Sequence, residues 1–200
     1  ITYSCAGYTG QIYIGSATSI SWTPPESLMN GIPSATSASC TLTCYTFEGD
    51  ITGDSGVSLV GTHSITITLS VPASVVPSVS SGWASAGYSN SGTAAASVSA
   101  ALVGYSKLTV TLNVSKISLP YSATLQSVKI SYGGITRTRT TSGTETFGTV
   151  SGTTATATLV ITDSRGRTYK GSVSLTAYAY TAPSLSGASA YRSNSGGTRD

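Results

Sequence analysis

From Thr154 to Thr162 the chain alternates without a break. Ala155, Ala157, Leu159 and Ile161 fall on one parity, and Thr154, Thr156, Thr158 and Thr162 on the other. A period of two is the signature of a β-strand with one face buried. Asp163-Ser-Arg-Gly166 follows, with an Asp to accept backbone amides and a Gly to supply the positive φ of a hairpin loop. The return strand sets Tyr169, Val173, Leu175, Ala177 and Ala179 on one face. Pro183, which has no amide hydrogen to donate, then ends the pairing.

The end of this hairpin occurs twice. Leu69-Ser-Val-Pro-Ala-Ser-Val-Val-Pro77-Ser-Val79 aligns without a gap on Leu175-Thr-Ala-Tyr-Ala-Tyr-Thr-Ala-Pro183-Ser-Leu185. Ser89-Asn-Ser-Gly92-Thr93 recurs as Ser193-Asn-Ser-Gly196, with Thr198 close behind. Self-similarity at a domain-sized interval implies tandem domains. The expected division is residues 1–74, residues 75–182 and, from 183 to 200, the first strand of a further repeat. Because the chain starts at Ile1 and stops inside a repeat, it reads as a segment of a longer protein.

Ser and Thr make up about a third of the residues and charged residues only 8%. Such a composition suits disorder unless the apolar residues are patterned; here they alternate strictly, which argues for packed sheets. The net charge of +3 has no clustered basic stripe behind it, so nucleic acid is not an expected partner. No apolar run approaches the length of a membrane span, so membrane insertion is not expected either.

Cys5, Cys40 and Cys44 all lie in the first unit. Cys40 and Cys44 share a strand face at a separation of roughly 13 Å, too far to bridge each other, whereas Cys5 is free to pair with either. With one of three left over, a disulfide framework is not expected, and small buried side chains are the simpler reading. A zinc site needs about four ligands, and only His63 is available to join them.

Further strands are expected at Ile1–Cys5, Gln11–Ile14, Ile20–Trp22, Cys40–Phe47 and Ile65–Val71. Pro25 to Gly31 reads as a single helical turn. In the second unit, strands are expected around Val79, at Leu108–Val114, Val128–Tyr132, Ile135–Thr141 and Phe147–Gly152, before the hairpin. Residues 78–100 read as a short strand and a long surface loop. About seven short strands separated by turns describe an all-β chain of tandem immunoglobulin-like or fibronectin-III-like β-sandwich domains with little helix.

Ser21-Trp-Thr-Pro-Pro25, Ile32-Pro33, Cys40-Thr-Leu-Thr-Cys44, Val71-Pro72, Ser106-Lys-Leu108, Thr162-Asp-Ser-Arg-Gly-Arg-Thr168 and Ala182-Pro183 occur here in one order. In this the chain resembles a family of tailed-bacteriophage minor structural proteins, of tail-tip or tail-fibre type, that string Ig-like repeats after an N-terminal domain. It departs from their usual pattern between Gly82 and Gly104. The resemblance implies a component of the virion tail that projects or presents host-binding parts, with other virion proteins and further copies of itself as partners. It implies no enzymatic activity and no catalytic residue, cofactor or metal. A secreted bacterial adhesin or carbohydrate-binding Ig-like protein is the alternative.

Chemistry-bearing residues are sparse. Gly53-Asp-Ser-Gly56 resembles the nucleophile motif of chymotrypsin-like proteases, but Val57 follows it and the single histidine, His63, comes after the serine. Glu48, Asp50 and Asp54 share one loop and would at best hold a calcium ion weakly. Arg137 and Arg139 lie on one strand face, where they either grip a sugar acid or phosphate or blunt a sheet edge. Trp83, Tyr88 and Tyr105 are the candidates for stacking on a host-surface glycan, with packing at the domain junction as the plainer reading. Arg165 and Arg167 flank a turn and are expected in solvent. Lys107, Lys129, Lys170 and Asn113 are out of phase with the apolar set of their strands and should point outward, which speaks against an adhesin-type isopeptide bond.

Overall fold

The structure, a computed structural model, describes residues 1–15, 17–48, 58–181 and 187. It is mostly β, with several antiparallel sheets and little helix. Residues 1–70 form β1 (Thr2–Cys5), β2 (Tyr8–Gln11), β3 (Ser37–Glu48) and β4 (Ser58–Ser70), in one antiparallel sheet of order β2-β1-β3-β4. A 3-10 helix, Glu26–Gly31, covers one face and packs Leu28 against Cys5 and Cys40. Gly31 is required at its end: a Cβ there would stand 2.1 Å from the Ala6 carbonyl oxygen.

The strand expected at Gln11–Ile14 lies instead at Tyr8–Gln11, and three further expectations for this unit need correction. Where two packed sheets were expected for residues 1–74, the described residues form one. Ile20–Trp22 is not a strand: it pairs with no other segment, and Pro24 and Pro25, which follow at once, cannot donate to a ladder. Trp22 nevertheless packs on Tyr3, with ring centroids 5.1 Å apart. The third concerns the cysteines. The β1–β3 register sets Cys5 opposite Cys40, with Cα atoms 4.2 Å apart, and a disulfide joins them; Cys44 is free.

The second unit contains β5 (Ser78–Val79), β6 (Ala84–Ser89), β7 (Lys107–Leu112), β8 (Ile117–Ser118), β9 (Leu125–Tyr132), β10 (Ile135–Arg139), β11 (Gly143–Thr149), β12 (Thr154–Asp163) and β13 (Thr168–Thr176). A four-stranded sheet runs β10-β9-β12-β13 and a three-stranded sheet β11-β7-β6, with β5 and β8 paired separately. The two larger sheets share one core. Leu108, Val110 and Leu112 of β7 and Phe147 of β11 meet Val128 and Ile130 of β9 and Ala155, Ala157, Leu159 and Ile161 of β12. All of these but Phe147 sit at the alternate positions that the sequence marks as apolar. Burial of a Leu, Ile or Val contributes about 1.5–3 kcal/mol, so this core dominates the stability of the unit.

Between β6 and β7 a long loop hangs on Asn90. Its side chain, 7% exposed, donates to the carbonyls of Val98 (2.6 Å) and Ala100 (3.0 Å) and accepts from the buried Ser106 hydroxyl (2.5 Å). Thr93 closes the turn by donating to the Asn90 carbonyl at 2.7 Å. The Ser-Asn-Ser-Gly-Thr segment that recurs near residue 193 therefore has a structural task here, which is to satisfy the backbone of an irregular loop.

The two long hairpins close alike. Leu69 stands opposite Ala38 and Leu175 opposite Ala155. The next residue but one then bonds back across the strand, Val71 to the Thr36 carbonyl and Ala177 to the Thr153 carbonyl, each at 2.8 Å. The first half of the sequence repeat is thus the same local structure twice. Its second half, from Ala182 onward, lies outside the described residues, as does the expected first strand of a further repeat.

Candidate functional site

Among the described residues, the tip of the β12–β13 hairpin is the most polar buried place. The Asp163 carboxylate accepts the amides of Arg165 (2.9 Å) and Arg167 (2.8 Å) through Oδ1. The Asp163 amide donates to the Arg167 carbonyl at 3.0 Å, and the Gly166 amide to the Asp163 carbonyl at 2.9 Å. Gly166 has φ +77°, the left-handed conformation that ends a three-residue hairpin loop. Asp163 is fully buried, and its Oδ2 and the Arg167 Nε have no protein partner. The Asp-Ser-Arg-Gly-Arg string is therefore a rigid turn that throws Arg165 outward from its own sheet.

Arg165 does not reach solvent. It is 6% exposed, and its guanidinium meets the first unit. Nε donates to the Ile32 carbonyl at 2.7 Å, and Nη2 to the Met29 carbonyl at 3.3 Å and to the Tyr121 carbonyl. Nη1 donates to the Pro120 carbonyl at 2.8 Å. One side chain thus ties the 3-10 helix of the first unit to the 120–124 loop of the second. Its neighbours do the same. Ser164 Oγ donates to the Pro33 carbonyl and accepts from the Thr124 amide at 2.9 Å, and Arg167 Nη2 donates to the Val71 carbonyl at 3.2 Å. The expectation that Arg165 and Arg167 are solvated is corrected: five donors in a planar fork suit several carbonyls at once, and a charge-assisted hydrogen bond is worth about 1.5–3 kcal/mol.

The loop that faces Arg165 is strained. Tyr121 and Ser122 have φ +52° and +59°, a region that side-chain-bearing residues rarely enter. Both are held from across the junction. The Tyr121 hydroxyl donates to Glu26 Oε2 at 2.6 Å, and the Ser122 hydroxyl donates to Asn30 Oδ1 at 3.2 Å. The Glu26 hydrogen bond, then burial, then the Glu26 charge hold the Tyr121 hydroxyl above the usual tyrosine pKa. Beneath lies an apolar patch of Met29, Ile32 and Val71, joined by Val75 and Tyr121. What this arrangement can do is mechanical: it fixes the orientation of one unit on the other.

The residues singled out for glycan contact are not brought together. Trp83 leans edge-on against Tyr169, centroids 6.0 Å apart, over Gly171, where a Cβ would stand 2.8 Å from the indole. Tyr88 is exposed on β6, and Tyr105 packs edge-on against Tyr180 at 5.1 Å. Arg139 forms an ion pair with Glu145 at 2.6 Å and donates to the carbonyls of Thr141 and Ser142, whereas Arg137 is exposed; both lie on β10, an edge strand. In the β3–β4 ladder Glu48 faces Ser58 and His63 faces Cys44. Asp50, Asp54 and the Gly53–Gly56 motif lie outside the described residues. Among the described residues no three His, Cys, Asp or Glu side chains gather as a metal site would need, and no helix is long and apolar enough to cross a membrane.

Sequence reasoning missed the arginine clamp because its acceptors are backbone carbonyls, which carry no residue signature and lie 44–136 positions away. The available signal was the turn itself, since a loop so tightly specified by Asp163 and Gly166 has a fixed direction.

The family model described as a siphovirus protein of unknown function (DUF859) matches residues 1–197, and the chain belongs to that family. No curated protein and no solved structure matches it.

Proposed function

We propose, from membership of this siphovirus family, that the chain is a non-enzymatic structural module of the virion tail. In this reading residues 75–182 are one Ig-like sandwich in a tandem series, and residues 1–74 are the platform on which the series starts. The observation that carries the reading is the clamp: Arg165, Ser164 and Arg167 spend their polar groups on holding two units in one orientation. A hinge that must swing would not bury a guanidinium on carbonyls of both sides, because each opening would expose or orphan them. A fixed joint suits an arm that projects a host-binding part or decorates the tail. Other virion proteins and further copies of the chain are the expected partners, with a host-surface glycan as a target for the distal end. The repeat of the Ser-Asn-Ser-Gly segment supports a series of more than one such unit.

Gold-labelled antibody against residues 75–181, applied to intact virions, tests this directly. Label at the tail, at the tip or along fibres, is the expected result. Label absent from purified virions, with the protein found only in infected cells, would refute the structural reading.

A further inference from the structure

The two units treat their sheet edges differently. In the second, β10 carries Arg137 and Arg139, β13 carries Lys170, β11 carries Glu145, and the short β6 lies against β13. Charges on an edge deter another strand from adding to it. In the first, β4 is an edge of 13 residues, Ser58-Leu-Val-Gly-Thr-His-Ser-Ile-Thr-Ile-Thr-Leu-Ser70, with no Pro, no Lys or Arg and no acidic residue. Among the described residues nothing pairs with its outer side. It is β-branched at Val60, Thr62, Ile65, Thr66, Ile67 and Thr68, and Leu59, Val60 and Ile65 are 53%, 65% and 49% exposed. The ladder with β3 breaks register at Val60 and runs unbroken from Gly61 to Ser70, and a neutral edge of that length is a template for strand addition.

We propose that β4 pairs antiparallel with β4 of a second copy of this chain, joining two four-stranded sheets into one. The argument for a second copy is symmetry. About a two-fold axis, residue i of one strand faces a residue of the same parity in the other, whichever residue lies on the axis. His63, Ile65, Ile67 and Leu69 therefore meet their own kind on the core side. Thr62, Ser64, Thr66, Thr68 and Ser70 meet hydroxyls on the other. Cross-strand β-branched and Thr–Thr pairs are favourable contacts in sheets, and β3 already shows the pattern, with Thr43 and Ser64 sharing a 2.9 Å hydroxyl bond. A strand from an unrelated protein would need both patterns independently. The contact area is small, so the pairing is expected to be concentration-dependent in isolation and to gain strength where many copies are held together.

Sedimentation of the whole chain over a concentration series, with hydrogen exchange read at each point, tests this. A monomer–dimer equilibrium is expected, with protection of the β4 amides that point away from β3 rising about tenfold or more on dimerisation while β2 and β13 are unchanged. The double variant Ser64→Lys, Thr66→Lys should abolish the dimer and return the outward-pointing β4 amides to fast exchange, with the second unit's core amides still protected as evidence of folding. Three results would overturn the proposal. One is a monomer at every concentration. Another is a dimer that survives the lysines. The last is β4 protection already complete in dilute monomer, which would assign the edge to another segment of the same chain.

Discussion

The first and second units hold themselves together by different means. The second has two sheets closed on a continuous core that runs from Ala101 to Ala177. Among its described residues the first has one sheet, and the buried apolar ones fall into two patches of three: Cys5, Leu28 and Cys40, then Met29, Ile32 and Val71. The second of these patches is also the floor of the junction, where Tyr121 of the other unit packs. A single sheet with a 3-10 helix on one face buries too little to be secure alone. It is supplemented by a cross-link and by a neighbour, and the Arg165 clamp serves the first unit's stability as well as the arm's rigidity.

The sharpest way to break that comparison is Arg165→Ala. It leaves the carbonyls of Ile32 and Tyr121 without their donor, while those of Met29 and Pro120 keep the amides of Ile32 and Ala123, and a loss in coupling of about 1–3 kcal/mol for each orphaned carbonyl is expected. Calorimetry should then resolve two transitions, with the first unit melting early. Arg165→Lys should recover little of this, because an ammonium cannot span the same acceptors. Leu159→Ala, in the closed core, should cost about 2–5 kcal/mol and lower the second unit's transition, whereas Ile65→Ala, half exposed on the open sheet, should change stability by less than about 0.5 kcal/mol. Reduction of the Cys5–Cys40 disulfide should destabilise the first unit by about 2–4 kcal/mol, with the second unaffected in denaturant unfolding followed by hydrogen exchange.

The smallest effect concerns pH. The Tyr121 pKa is raised, chiefly by its bond to Glu26, so the neutral hydroxyl is the bound form. Its contribution is whole below the ordinary tyrosine pKa and is lost as pH rises through the higher folded value. The phenol absorbance of Tyr121, isolated by difference from Tyr121→Phe, should titrate later than that of a free tyrosine, and Glu26→Gln should bring it back.

Much of this was legible in the residues. Strict alternation located β7, β9, β12 and β13, and turn chemistry located the hairpin tip, because both are local rules that need no partner. The 3-10 turn at Glu26–Gly31 was legible from its flanking Pro25 and Asn30-Gly31. What local rules could not supply was pairing. Ile20–Trp22 alternates as a strand should and yet joins no sheet, so Trp22 packs on Tyr3 from irregular backbone. Cys5 had two candidate partners on one strand face, and only the β1–β3 register decided for Cys40. Arg165 looked solvated because an arginine beside a turn usually is. Its acceptors belong to another unit, and no pattern in the sequence marks a carbonyl as waiting.

Residual dipolar couplings measured on the whole chain would go straight to the joint. If Arg165 locks the units, the amides of β1, β3 and β4 and those of β9, β12 and β13 should fit a single alignment tensor, and Arg165→Ala should split them into two of unequal magnitude. Two tensors already in the unsubstituted protein would mean that the units swivel freely, and the clamp would hold nothing.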